Sequence, residues 1–130
     1  MSTENTPNRH LLLVEDNPDN AELATWILED EGYTLDCAET AEIGLEWLAN
    51  PDKHYGLILM DISLPGMDGK EAMQIIRADP VHKAIPIIAV TAHAVLDERD
   101  AIMASGADEL VTKPIAEDLL LSAIEKYLSQ

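Results

Sequence analysis

The chain has no phenylalanine, one cysteine, and eight basic residues against 25 acidic ones in 130 positions. Each shortage excludes something. A lone cysteine, Cys37, permits no intramolecular disulfide, which fits a reducing compartment. A formal net charge of −17 leaves too little Lys and Arg to displace counterions from nucleic acid or to dock on an anionic membrane. No run approaches the ~20 apolar residues of a membrane span, and MSTENTPNRH lacks the apolar centre of a signal peptide. A cytoplasmic location is the expectation. With two Trp and three Tyr as the only aromatics besides histidine, the 47% apolar content must build an aliphatic core of Leu, Ile, Val and Ala. This length suits one domain, since domains cluster near ~100–150 residues and bury enough surface to fold without a disulfide or metal staple. Residues 1–9 read as a disordered tail and 10–130 as the domain.

Five short apolar runs recur: Leu11–Val14, Thr34–Ala38, Leu57–Met60, Ile87–Val90 and Leu110–Thr112. The first, third and fourth are nearly continuous, as in strands buried on both faces. The second alternates through Leu35, Asp36 and Cys37, which suits an edge strand. Helical patterns lie between. Asn17-Pro18 reads as N-cap and N1 of a helix that turns Leu23, Ala24, Ile27 and Leu28 inward and stops at Gly32. Thr40 caps a second helix with Ile43, Trp47 and Leu48 inward. A third spans Lys70 to Ala78, a fourth Val95 to Ser105, and a fifth carries Leu119, Leu120, Ala123, Ile124 and Tyr127. Five β-α units imply a parallel sheet with helices on both faces, and are too few for an eight-stranded barrel. The expected fold is an open, doubly wound α/β sandwich, whose ligands bind beyond the carboxyl ends of the strands.

Polar residues stand at those ends. The first strand runs into Glu15-Asp16, the third into Asp61, the fourth into Thr91 and the fifth into Lys113-Pro114. Two unit charges ~4 Å apart repel by about 4 kcal/mol at an effective dielectric of about 20. Three clustered carboxylates therefore need either a proton on one of them or a cation among them. A small all-oxygen ligand set suits Mg²⁺, or Mn²⁺. With Lys113 the site would be neutral and ready for a dianionic phosphoryl group, with Thr91 binding one oxygen and Asp61 as nucleophile.

The segments LLLVED (11–16), MDISLPGMDG (60–69), AVTA (89–92) and VTKP (111–114) resemble the motifs of response regulator receiver domains of two-component systems, over essentially residues 10–130. The resemblance implies a flavodoxin-like (βα)5 sandwich with strand order 2-1-3-4-5. It implies that Asp61 is the phosphoacceptor, that Asp16 and Asp61 ligate Mg²⁺ directly, that Glu15 acts through water, and that the Ser63 backbone carbonyl completes the set. It makes Thr91 the switch hydroxyl and Lys113 the phosphate-binding lysine. The implied donor is a sensor histidine kinase or a histidine phosphotransfer protein. The output is binding of a downstream protein through the fourth helix, fifth strand and fifth helix. The fifth helix ends the chain, so a single-domain regulator is expected, with no separate substrate turnover.

Two positions depart from the family pattern. Leu110 stands three residues before Lys113, where Tyr or Phe usually acts as a rotameric switch, and Ile115 stands where Phe is common. Other residues carry open readings. Asn20, on the inward stripe of the first helix and one turn from the acids, is either a packed polar residue or a support for Glu15 and Asp16. His93 either controls water access to the site or is an exposed loop histidine. Pro65, Gly66 and Gly69 read as turn residues, Cys37 as a small buried hydrophobe, and Trp26 as off the apolar stripe. On the fourth helix, Val95, Leu96, Ile102 and Met103 share a stripe with Arg99. The competing functions are a Mg²⁺-dependent aspartyl-phosphate phosphatase, which would need a second Asp where Ser63 stands, an electron carrier of the flavodoxin type, and a pseudo-receiver that binds partners without phosphorylation.

Overall fold

The computed structural model describes residues 8–92 and 96–128. Strand and helix alternate throughout: β1 (His10–Val14), α1 (Pro18–Asp30), β2 (Thr34–Ala38), α2 (Ala41–Leu48), β3 (Leu57–Asp61), α3 (Gly69–Ala78), β4 (Ile87–Thr91), α4 (Leu96–Ala104), β5 (Glu109–Thr112) and α5 (Glu117–Leu128). The strands form one parallel sheet in the order β2-β1-β3-β4-β5, as the resemblance implied.

Alternate residues of a strand face opposite sides, so the three central strands feed two cores. Leu12, Val14, Ile58, Met60, Ile87 and Ala89 pack with Leu48 of α2, Met73 and Ile76 of α3 and Ile102 of α4. Leu11, Leu13, Leu57, Leu59 and Ile88 pack with Ala24, Ile27 and Leu28 of α1 and with Leu120 and Ile124 of α5. The core is mainly aliphatic, with Tyr33 and Tyr55 as its buried aromatics. The helix signals hold locally. Asn17 accepts hydrogen bonds from the Asp19 and Asn20 amides, Thr40 from Ile43 and Asp68 from Glu71, each satisfying an orphan N–H of a first turn. Gly32, just past α1, has φ +90°, a conformation natural to glycine.

Several side-chain expectations change. Leu23 and Leu119 lie outside, 40% and 64% exposed, because each is one residue, or about 100°, off the buried stripe of its helix. Cys37 is exposed: β2 is an edge strand, and only Ala38 of its five residues is buried. On α2 the buried positions are Ala41, Gly44 and Leu48, with Ile43 and Trp47 flanking. A Cβ at Gly44 would come within 3.0 Å of Val14, so glycine lets α2 sit close to the sheet. On α4, Ile102 is fully buried while Met103 is 40% exposed; Val95 and His93 lie outside the described residues. At the N-terminus, Asn8 and Arg9 are bonded into the domain: Asn8 Nδ2 donates to the His54 carbonyl at 3.1 Å and Arg9 Nη2 to that of Glu31 at 2.7 Å.

Candidate active site

The parallel sheet brings the ends of β1, β3, β4 and β5 to one edge. Glu15 follows β1 and is buried; its Oε2 accepts the Asn17 amide at 3.1 Å, so the turn that caps α1 also orients this carboxylate. Asp16, next in the chain, is exposed at the rim. Asp61 ends β3 and is only 2% exposed. Its Oδ1 accepts the Ser63 amide at 3.2 Å. Carboxylate oxygens of Glu15, Asp16 and Asp61 all lie within 4.8 Å of one another.

Lys113 reaches into this cluster from beyond β5. Its Nζ lies 3.1 Å from Asp61 Oδ2 and 3.2 Å from Glu15 Oε1. Its backbone amide donates to the Thr91 carbonyl at 2.8 Å, which ties the lysine to the end of β4. Thr91 itself is buried. The Lys113–Pro114 peptide is cis. Thus Glu15, Asp16, Asp61 and Lys113 converge as expected, with Thr91 joined through the Lys113 backbone. Asn20 sits half-buried in the first turn of α1, and Leu110 packs against the core cluster containing Ile102.

The electrostatics follow from this crowding. Burial pushes the Glu15 carboxyl above its ordinary value, and Asp61 adds to the rise, against the Asn17 amide and Lys113, which favour the charged form. Burial alone would lower the Lys113 pKa; Asp61 and Glu15 outweigh it and hold the ammonium above its usual range. Three carboxylates and one ammonium leave two excess negative charges, which one divalent cation cancels. The donor set is all oxygen, partly open at Asp16, and fits a hard cation such as Mg²⁺ that keeps several waters.

Gly69 matters more than its reading as a turn residue allowed. It is the first residue of α3, its amide donates to the Ile62 carbonyl at 3.1 Å, and a Cβ there would collide with the Asp61 carbonyl. Its missing side chain lets α3 close on the backbone that presents Asp61. The sequence signal was available in the pairing of an Asp N-cap with glycine at N1.

A family profile described as the response regulator receiver domain matches residues 11–125. The chain belongs to that family. Among curated relatives of this receiver domain, the sensor protein GacS of Pseudomonas syringae pv. syringae is 37% identical over 120 residues, covering 90% of this chain and 13% of that protein. The transcriptional regulatory protein HprR of Escherichia coli is 38% identical, over 92% of this chain and 52% of its own length. An uncharacterised 14.6 kDa protein of Leptolyngbya boryana is 33% identical, with 90% and 88% covered. The receiver domain thus spans a small part of its sensor-kinase relatives and most of the last. Among solved structures, the receiver domain of a Pseudomonas aeruginosa sensor histidine kinase, described with a magnesium ion coordinated in its active site cleft, matches at a TM-score of 0.86, 30% identity, and 93% and 98% coverage. A CheY-like receiver domain protein of Methanospirillum hungatei matches at a TM-score of 0.82, 32% identity and 92% of both chains.

Proposed function

We propose that this receiver domain is a phosphorylation switch: Asp61 takes a phosphoryl group from a phosphohistidine on a sensor kinase or phosphotransfer protein, and the modified domain changes its binding to a downstream protein. The observation that supports this best is the convergence of Glu15, Asp16 and Asp61 on one point with Lys113 among them. A carboxylate oxygen of Asp61 attacks phosphorus, the P–N bond to the donor imidazole breaks, and the imidazole nitrogen recovers a proton from water. Lys113 holds one phosphoryl oxygen as charge transfers to it, and the Thr91 hydroxyl donates to another. Glu15, Asp16, Asp61 and the Ser63 carbonyl would hold Mg²⁺, which supplies positive charge against the phosphoryl oxygens when bound. The domain assists its own phosphorylation and dephosphorylation without turning over a separate substrate, in the cytoplasm. The surface of α4, β5 and α5 carries the output.

Incubation with Mg²⁺ and acetyl phosphate, read by intact mass, tests the assignment. One phosphoryl adduct is expected on the wild type and none on Asp61→Asn. An adduct that survives in Asp61→Asn, or a wild type that takes none, overturns it.

A further inference from the structure

At the end of the sheet opposite the acidic cluster, one arginine ties α3 to two stretches of chain, residues 83–85 and 106–108. Arg77, in the last turn of α3, donates through Nε to the Gly106 carbonyl at 2.9 Å. Its Nη1 donates to the carbonyls of Lys83 and Ile85, each at 2.7 Å. Its Nη2 meets Asp108 Oδ2 at 2.7 Å. That same carboxylate oxygen accepts the Ile87 amide at 2.9 Å, and the Asp108 amide donates back to the Ile87 carbonyl at 2.8 Å. α5 joins as well: the Tyr127 hydroxyl donates to the Asp108 carbonyl at 2.8 Å. Gly106 is shaped for the arginine, with φ +127° and no Cβ where one would strike Arg77 Cγ.

This junction clamps the starts of β4 and β5, whose far ends deliver Thr91 and Lys113 to the site. Between the two strands the chain runs through α4, from which Arg77 takes no acceptor among the described residues, although the Gly106 amide donates to the Met103 carbonyl at 3.2 Å. We infer that Arg77 is a positioning residue of the switch. By pinning the bases of β4 and β5 to α3 and α5, it keeps the response to phosphorylation out of the segments that enter these strands and leaves it to their site ends and the α4, β5 and α5 face. The inference rests on the proposed phosphorylation of Asp61. Lysine cannot replace it, because a single ammonium cannot reach acceptors laid out for a planar fork.

Hydrogen exchange with and without acetyl phosphate and Mg²⁺, on wild type, Arg77→Lys and Asp108→Asn, tests this, with phosphoryl uptake followed by intact mass. All three are expected to take label to within about twofold. In the wild type the phosphorylation-induced change in exchange should lie at the site and on the α4, β5 and α5 face, and should spare residues 79–87 and 106–108. In both variants it should spread to residues 79–87 and 106–108, with exchange there about fivefold faster or more. A purely structural role would speed exchange at the junction equally in both states and leave the label-induced pattern unchanged; that result overturns the inference. So does a wild type whose change already covers the junction. If Arg77→Lys does not fold, Tyr127→Phe removes one hydroxyl from the same junction and should give a smaller spread in the same direction. A wild type that takes no phosphoryl group refutes the function instead. The anchor is then read on unlabelled protein, where unchanged exchange at 106–108 in Arg77→Lys refutes it too.

Discussion

Lys113 balances two carboxylates by itself, and its removal separates two quantities that usually move together. In Lys113→Met the buried charges of Glu15 and Asp61 lose their only ammonium among the described residues of the site. Mg²⁺ binding should tighten, because a competing cation is gone, while the rate of labelling by acetyl phosphate falls by about 10²-fold with the loss of a positioned donor. Calorimetric titration and intact-mass kinetics check the two halves. A second residue-scale prediction concerns Asp36, midway along the edge strand β2. Burial would raise its pKa, but the Tyr55 hydroxyl at 2.6 Å, Lys53 at 3.2 Å and His10 at 3.3 Å outweigh it and hold the carboxyl below its ordinary value. Because the folded pKa lies below the unfolded one, this stabilisation is complete above the unfolded carboxylate value of ~3.9 and is lost as pH falls through the folded value. Asp36→Asn should therefore lower the urea midpoint at pH 6, and the gap from wild type should close in acid.

Helices are held against the sheet by small residues at chosen points, and this is where single methyl groups tell. Gly69→Ala drives a Cβ into the Asp61 carbonyl. A loss of about 1–3 kcal/mol in stability is expected, together with slower phosphoryl uptake as Asp61 is displaced; urea denaturation and mass kinetics read both. By contrast, Leu119→Ser on α5 should stay within about 0.5 kcal/mol of wild type, and Ile102→Ala on α4 should lose about 2–5 kcal/mol. Hydropathy alone does not separate Leu119 from Leu120. The distinction comes from the rotation of α5 about its axis, set by Leu120, Ala123, Ile124 and Leu128 together. The same limit explains Leu23 on α1, whereas Cys37 is exposed because it lies on the edge strand β2. Strand positions, the Asn17 and Thr40 caps and the strand-end residues were legible, because local chemistry fixes each one, while the Asp68 cap of α3 was not read. The Arg77 junction was not, since Arg77 and Asp108 are 31 residues apart and three of its four acceptor groups are backbone carbonyls that any sequence supplies.

For the whole molecule, the acidic excess and the site make one further prediction. A ligand that binds only the folded state stabilises by mass action, about 2.7 kcal/mol at a hundredfold excess over its dissociation constant. Mg²⁺ should raise the melting temperature of the wild type in proportion, and the rise should vanish in Asp16→Asn with Asp61→Asn, whereas a matched increase in monovalent salt should not reproduce it. The remaining feature with molecular reach is the sheet's pair of margins. An open sheet offers unpaired N–H and C=O groups along its outermost strands, an invitation to strand addition. Here β2 carries Asp36, already engaged by Tyr55, Lys53 and His10, and the opposite margin, β5, is four residues long and soon followed by Pro114, which has no amide to donate. Neither border offers a long, neutral ribbon for a neighbour to extend, so copies that meet, even when crowded, are steered away from β-zippering and towards contact through their helices.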